Sequence, residues 1–489
     1  MSERGTSGGA GFTADGSGPG ESHAVVIRLA LVAALGGLLF GYDTAVINGA
    51  VGAIRDEYSA GDLSLGLTVS SALLGSAAGA LAGGRIADRF GRRPTMWVAA
   101  ALFLISAIGS GLAGSLFMLA FFRIIGGIAV GIASVVAPTY IAEIAPARIR
   151  GRLGSLQQLA IVTGIALSLF VDALLAGLAG GASEDLFLGL EAWRWMFIAM
   201  AVPALIYGLG ALTIPESPRH LVALGRTAEA KGVLRRVLGN IDLDAKVAEI
   251  EGTLQREKPP SFLDLRGYSF GLLPIVWVGI GLSVFQQFVG INVIFYYSTV
   301  LWEAVGFSES NALLITVIGS LVNIVTTLIA IAYIDRFGRR PLLLIGSAGM
   351  TITLGTLSFI FGTAAVNADG QPVLGGAAGV IALLAANLFV FSFGMSWGPV
   401  VWVLLGESFP NRIRAAALGV AACAQWIANW VISTTFPTFA AIGLGFAYGF
   451  YTFFAALSLL FVIRYVKETK GMELEEMRGE ERAAMPMGH

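Results

Sequence analysis

Three side-chain amides, Gln286, Gln287 and Asn292, stand within Phe285–Ser298, inside a stretch otherwise apolar enough to cross a membrane. An amide held away from water without a hydrogen-bond partner costs about 2–7 kcal/mol, so each of these needs one. No charge lies among them, which suits a neutral, hydroxyl-rich ligand better than an ion. A plain helix turns about 100° per residue, which points Gln287 and Asn292 about 140° apart. If both serve one ligand, the helix is broken or bent between Gly290 and Tyr297. The same side-chain chemistry recurs in other apolar stretches at Gln158, Asn323, Trp402, Gln425 and Trp426. Amides supply donors and acceptors, and indole faces stack on the C–H faces of a pyranose ring. One such amide alone reads as glue between helices, worth about 0.6 kcal/mol. The uncharged set, spread over the chain, reads as a ligand site.

Two charges sit deep in apolar runs, and on this reading they are the only ones: Asp43 in Phe40–Val46 and Arg123 in Phe121–Gly127. An intramembrane ion costs about 2.5–3.5 kcal/mol even on a lenient scale, so the two are expected to pair. A static ion pair is the plain interpretation. The sharper one is a proton switch, in which Asp43 takes a proton from outside, releases Arg123, and so couples the proton to the ligand site.

The elements that position these groups are apolar spans. The 489 residues are 56% hydrophobic and 13% charged, against about 25% charged in a soluble domain. Twelve runs are long enough to cross a bilayer, which makes the chain an all-α polytopic membrane protein. They fall near 25–51, 65–87, 95–113, 116–138, 153–175, 193–214, 270–305, 312–334, 342–361, 377–405, 413–440 and 446–465. Residues 1–24 read as a disordered tail, 25–214 as a first six-helix half, and 215–268 as an intracellular linker of short amphipathic helices with Val233, Val237 and Leu238 inward. Residues 269–466 form a second six-helix half and 467–489 a charged tail. The single cysteine, Cys423, excludes an internal disulfide, and three histidines at His23, His220 and His489 offer no metal cluster. A net charge of −1 and basic residues confined to short loops do not suggest a nucleic-acid partner.

Lys and Arg concentrate in the tails and in the loops after the even-numbered spans, with Arg55, Arg123 and Arg194 as exceptions. Asp56, Glu57, Glu184, Asp185, Glu303 and Glu309 fall in the other loops. The positive-inside rule therefore places both termini in the cytoplasm. Asp88-Arg89-Phe90-Gly91-Arg92-Arg93-Pro94 recurs as Asp335-Arg336-Phe337-Gly338-Arg339-Arg340-Pro341, and Glu143–Arg150 parallels Glu407–Arg414. Two motifs at matching places in two six-span halves indicate a duplicated transporter with its site between the halves. The carboxylates and guanidiniums of these loops (Asp88, Arg89, Arg92, Glu143, Arg150, Asp335, Arg336, Arg339, Glu407 and Arg414, with Glu216 and Arg219 from the linker) are expected to form a cytoplasmic gate. Its salt bridges would hold that face closed and break for inward opening.

Over residues 25–471 the chain resembles the sugar porter family of the major facilitator superfamily. The shared pieces are Asp88–Arg93, Pro215-Glu216-Ser217-Pro218-Arg219, Gln286-Gln287 with Gly290-Ile291-Asn292, Gly398-Pro399-Val400-Val401-Trp402 and Glu468-Thr469-Lys470-Gly471; Lys467 stands where the family usually has Pro. Bacterial glucose and xylose proton symporters are the most similar members, with animal glucose facilitators next. The resemblance implies the twelve-helix fold of that superfamily, alternating access, and sugar ligands at Gln158, Gln286, Gln287, Asn292, Asn323, Trp402, Gln425 and Trp426. It implies an outer aromatic gate at Tyr296 and Tyr297 and a proton-coupling pair at Asp43 and Arg123. Gly394 lacks the acid of the animal facilitators, and Met200 stands where the xylose symporter has an additional Glu. Ile165 and Phe295 match glucose carriers, where the xylose symporter has Gln and Leu, so D-glucose is expected over D-xylose.

The expected activity is proton-coupled monosaccharide symport in the plasma membrane by a monomer, with the proton as coupling ion and no other cofactor. An uncoupled hexose uniporter and a D-xylose symporter are the alternatives, and a non-transporting sugar sensor or a multidrug exporter fits the residues less well. No nucleotide-binding Gly-x-x-x-x-Gly-Lys-Ser/Thr loop or catalytic triad points to an enzyme.

Overall fold

The computed structural model describes residues 23–146, 150–239, 242–256, 262–267, 270–304, 306–366, 372–409 and 413–469. Among them twelve helices are long and apolar enough to span a membrane: Ala24–Glu57, Asp62–Phe90, Arg92–Gly111, Leu116–Ile144, Leu156–Ala179, Ala192–Thr213, Pro274–Tyr296, Glu309–Ile334, Arg339–Thr363, Gly376–Leu405, Ala416–Ile442 and Leu444–Tyr465. They match the twelve runs read from hydropathy, although most reach further into the loops. Large apolar side chains such as Phe117, Leu209, Ile352 and Phe359 are exposed on the outside of the bundle, as a lipid solvent requires. The linker forms short helices, Pro218–Ala223, Thr227–Leu238 and Leu243–Arg256, with Val233, Leu234 and Val237 buried.

Without a hydrophobic drive between helices in lipid, close packing depends on small residues. Gly41 of the first span and Gly164 of the fifth show this. A Cβ on Gly41 would lie 2.0 Å from the Ile161 carbonyl, and one on Gly164 would lie 2.0 Å from that of Leu38. The first span packs on the fifth and the second on the fourth; the halves meet where the second span crosses the eleventh and the fifth crosses the eighth.

The repeated Gly-Arg-Arg motif has a structural cause. Gly91 and Gly338 take φ of 101° and 90°, each just before the third span of its half. Glu216 accepts hydrogen bonds from the main-chain N–H of Arg92 and Arg93 at 2.9 and 3.1 Å. Glu468 accepts from those of Arg339 and Arg340 at 3.0 Å each. A carboxylate thus caps a helix N-terminus in both halves, which satisfies free donors and complements the helix dipole. A Cβ on Gly91 would lie 2.4 Å from Glu216 Oε2, and one on Gly338 would lie 2.7 Å from Glu468 Oε2. Only glycine permits the cap.

The three basic exceptions to the charge pattern are each neutralised. Arg55 pairs with Asp62 at 3.3 Å, Arg123 with Asp43, and Arg194 with Glu57 and Glu191. Arg194 also donates to the carbonyls of Gly111 and Ala113, so it ties together the ends of the first, third and sixth spans.

Candidate functional site

The seventh span is broken where the two-amide argument requires. It runs as Pro274–Phe288, then Gly290 at φ 82° in the left-handed region, then Ile291–Tyr296, with a second break at Tyr297. The break turns Asn292 back so that its Nδ2 donates to Gln287 Oε1, while Gln287 Nε2 donates to Gln286 Oε1 at 3.2 Å. Gln286 Nε2 donates in turn to the main-chain carbonyls of Trp397 and Gly398 at 2.8 and 3.3 Å. These lie just past Met395 and Ser396, where the tenth span is interrupted. The three amides form one polar chain from the tenth span to a half-buried end at Asn292. A Cβ on Gly290 would lie 2.9 Å from the Tyr451 ring, so this position is held by space as well as by φ.

Other expected ligands lie on neighbouring helices. Asn323 is buried, and a Cβ on Gly394 would sit 3.1 Å from its Oδ1, so an acid at position 394 would collide with it. Trp426 packs against Phe40 of the first span with ring centroids 5.6 Å apart, a contact between the two halves. Phe40 was not among the expected site residues. Its place beside Asp43 in sequence was the available signal. Gln425 Oε1 and Trp430 Nε1, on the same helix, are buried without hydrogen-bond partners. Gln158 is half-buried, whereas its neighbour Gln157 is buried against Gly37 with both amide atoms unpartnered. Gln157 was also missed, because adjacent glutamines on a helix cannot be told apart by spacing. Trp402 is 41% exposed. Ile165 packs at the first span by Gly41, and Phe295 borders a small cavity of about 20 Å³ within the C-terminal half.

Asp43 and Arg123 are buried to 1% and 2% exposure, as expected of a pair. Arg123 Nη1 donates to the Asp43 main-chain carbonyl at 2.7 Å, and the carboxylate Oδ2 stands further off at 3.6 Å. Neither carboxylate oxygen has a hydrogen-bond partner. In the other half, the Tyr296 hydroxyl accepts from Asn429 Nδ2 at 3.5 Å. Tyr297 donates to the Ser433 carbonyl at 2.9 Å and stacks on Phe436. The tyrosines therefore join the broken seventh span to the eleventh within one half.

Contacts that join the halves gather at the acid-rich end of the bundle and use Asn48, Thr299, Ser70 and Thr434, which the sequence did not single out. Asn48 Nδ2 donates to the Phe295 carbonyl at 3.1 Å, and Asn48 Oδ1 accepts from Thr299 Oγ1. Ser70 Oγ and Thr434 Oγ1 are 2.6 Å apart, and Glu309 Oε1 accepts from the Ala182 N–H at 2.9 Å. Short hydroxyl and amide side chains leave no pattern by which to foresee such a seam.

Two expectations need correction. Asp43 and Arg123 are not the only charges deep in the bundle. The fifth span continues to Ala179, which puts Asp172 about two turns inside it at 0% exposure. At the basic end, Arg92 rather than Arg89 is the central guanidinium. Arg92 pairs with Glu143 at 2.9 Å and Asp88 at 3.0 Å, whereas Arg89 lies over Phe90. With the Glu216 cap, these contacts tie loops to helix ends inside the N-terminal half, and they stand while the acid-rich seam is closed. The side chains of Arg150, Asp335, Glu407 and Arg414 lie outside the described residues. Arg219, Arg336 and Arg339 are engaged at the same end.

A protein-family model described as "Sugar (and other) transporter" matches residues 29–480. The chain is 58% identical over 466 residues to a glucose transport protein of Synechocystis sp., covering 94% of this chain and 99% of the relative. It is 41% identical over 485 residues to the D-xylose-proton symporter of Escherichia coli K12, covering 92% and 95%. Among solved structures it resembles the inward-open conformation of the E. coli xylose transporter, with a TM-score of 0.79, 40% identity, and coverage of 93% and 99%.

Proposed function

The chain belongs to the sugar transporter family, and from that premise we propose that it carries D-glucose together with a proton by alternating access. It is a multi-pass membrane protein of the major facilitator fold. The observation that carries the reading is the uncharged polar array around the broken seventh span. Beside the chain Asn292–Gln287–Gln286 on the seventh span, the fifth span carries buried, unpartnered atoms of Gln157 and the eleventh those of Gln425 and Trp430. Buried polar atoms are ordinarily hydrogen-bonded, and a sugar's hydroxyls, each donor and acceptor, are suited to partner them. The Phe40–Trp426 contact offers an aromatic wall for the apolar face of the ring.

Glucose is preferred over xylose because the more similar of these two relatives is named for glucose transport, and the resemblance of Ile165 and Phe295 to glucose carriers points the same way. Proton coupling rests on the buried Asp43–Arg123 pair. A closed acid-rich seam fits a state facing the cytoplasm, with the basic end and both termini on the cytoplasmic side of the plasma membrane. Uncoupled uniport is the second reading. It is favoured by the 2.7 Å bond from Arg123 to the main chain of Asp43, which holds whether or not the carboxyl is ionised.

Counterflow of labelled glucose in proteoliposomes, with and without a pH gradient and with xylose as competitor, tests transport, coupling and selectivity together. Glucose counterflow that glucose outcompetes better than xylose, and that turns into net accumulation under an inward proton gradient, is expected. Counterflow without accumulation would leave uniport, and no counterflow would refute the transport of glucose.

A further inference from the structure

Asp172 is a buried ionisable group that the site above leaves unused. It is 0% exposed on the fifth span, and neither carboxylate oxygen has a hydrogen-bond partner. It presses on Gly49 of the first span, where a Cβ would lie 2.6 Å from the Asp172 Cβ and 3.0 Å from Oδ2. The Gly49 N–H is turned toward the carboxylate without reaching hydrogen-bond geometry. Tyr42, also of the first span, is the titratable neighbour that feels Asp172. Charges on the other helices packed against the fifth span are committed elsewhere: Arg123 to Asp43, Arg194 to Glu57 and Glu191, and Glu309 to the Ala182 N–H.

A buried carboxylate whose oxygens accept no hydrogen bond is costly to keep ionised; it takes up a proton, or the structure opens around it. Gly49 is next in sequence to Asn48, which joins the first span to Phe295 and Thr299 of the other half. We propose that Asp172 is a gating protonation site, its neutral form letting the outer part of the first span lie against the fifth and hold the acid-rich seam shut. A proton from the medium at that end binds a carboxylate oxygen as the seam closes. When it returns to the medium, water solvates the charge, Gly49 moves off, and Asn48 leaves the seventh span. This rests on alternating access but not on Asp43 or on the identity of the sugar, and the counterflow assay judges those separately.

The test uses the full-length chain in proteoliposomes, with its single cysteine removed (Cys423→Ser), Glu303→Gln to silence the carboxyl at the rim, and Ser70→Cys as a reporter in the seam. A membrane-impermeant maleimide labels this thiol when the seam opens. Dividing the rate by that of the same protein carrying Asp172→Asn, at each pH, cancels the thiol's own titration. The ratio is expected to rise between pH 5 and pH 8, by up to about tenfold per pH unit, the limit for one linked proton. A ratio constant across that range would overturn the proposal. Gly49→Ala gives a second arm: its Cβ props the first span off Asp172, so labelling should be fast at both pH values. Slow labelling with the parent's pH response would equally overturn it.

Discussion

Replacing Asp43 with Asn keeps the shape of the side chain and removes its charge. Arg123 Nη1 donates to the Asp43 main-chain carbonyl at 2.7 Å, and the carboxylate stands at 3.6 Å without a hydrogen bond. The shorter contact therefore survives the substitution. The loss of stability should stay below the about 3–5 kcal/mol of a buried charge left without compensation. What disappears is a group that can bind and release a proton in step with the sugar. One pH unit is worth about 1.4 kcal/mol per proton, which at zero membrane potential sustains about a tenfold sugar gradient for one proton per sugar. In proteoliposomes with an inward gradient of one pH unit, the parent should concentrate labelled glucose toward that limit. Asp43→Asn should stop at equal concentrations inside and out, while its counterflow, which needs no net proton movement, stays within the parent's order of magnitude. Accumulation by the variant would refute the switch, and loss of counterflow as well would make Asp43 a structural residue.

Gly290→Ala must place a Cβ 2.9 Å from the Tyr451 ring and hold φ near 82°, so it should separate Asn292 from Gln287. Half-saturation for glucose should rise by at least about tenfold, the loss of one or two hydrogen bonds, whereas Gly419→Ala, with nothing within 4 Å, should leave it unchanged. Glu216→Ala removes a carboxylate that accepts from the Arg92 and Arg93 N–H groups, and should destabilise the protein by about 1–2 kcal/mol in a thermal melt. Burial, with Glu309 and Asp56 nearby, pushes Glu303 up from 4.5 to about 7. The folded state thus holds a proton that the unfolded chain has lost across that window. This contribution is present below pH 4.5, declines as pH rises toward 7, and is then constant. Glu303→Gln should therefore flatten the fall of the melting temperature between pH 5 and pH 7; an unchanged slope would remove Glu303 from the account. Phe40→Ala should weaken glucose retention in a binding assay by removing the wall opposite Trp426, and unaltered affinity would exclude Phe40 from the site.

Hydropathy, the charge distribution and the repeated motifs made the spans and the two halves legible, because lipid imposes length and apolarity on every crossing helix. The break at Gly290 was legible as well. Gln287 and Asn292 cannot share a face of an intact helix, and a glycine between them allows the turn. The pairing of Asp43 with Arg123 followed from the energy of a lone ion in hydrocarbon.

Other features depended on which helices meet. Asp172 escaped notice because its burial comes from the close approach of Gly49, more than a hundred residues away in sequence. The seam of Asn48, Thr299, Ser70 and Thr434 uses side chains common on any membrane helix, and it becomes a seam only where the first and second spans face the seventh and eleventh. The motif carboxylates Glu216 and Glu468 turned out to cap helices, a role visible only once the loop folds back onto Gly91 and Gly338. The sequence by itself determined the spans, the duplication and the chemistry of the amides, since those follow from local composition and helical spacing. The tertiary structure decided which end is sealed, which of two adjacent glutamines is buried, and which carboxylates lie together or alone. Those outcomes depend on contacts between distant helices, set by packing and desolvation that no local pattern encodes.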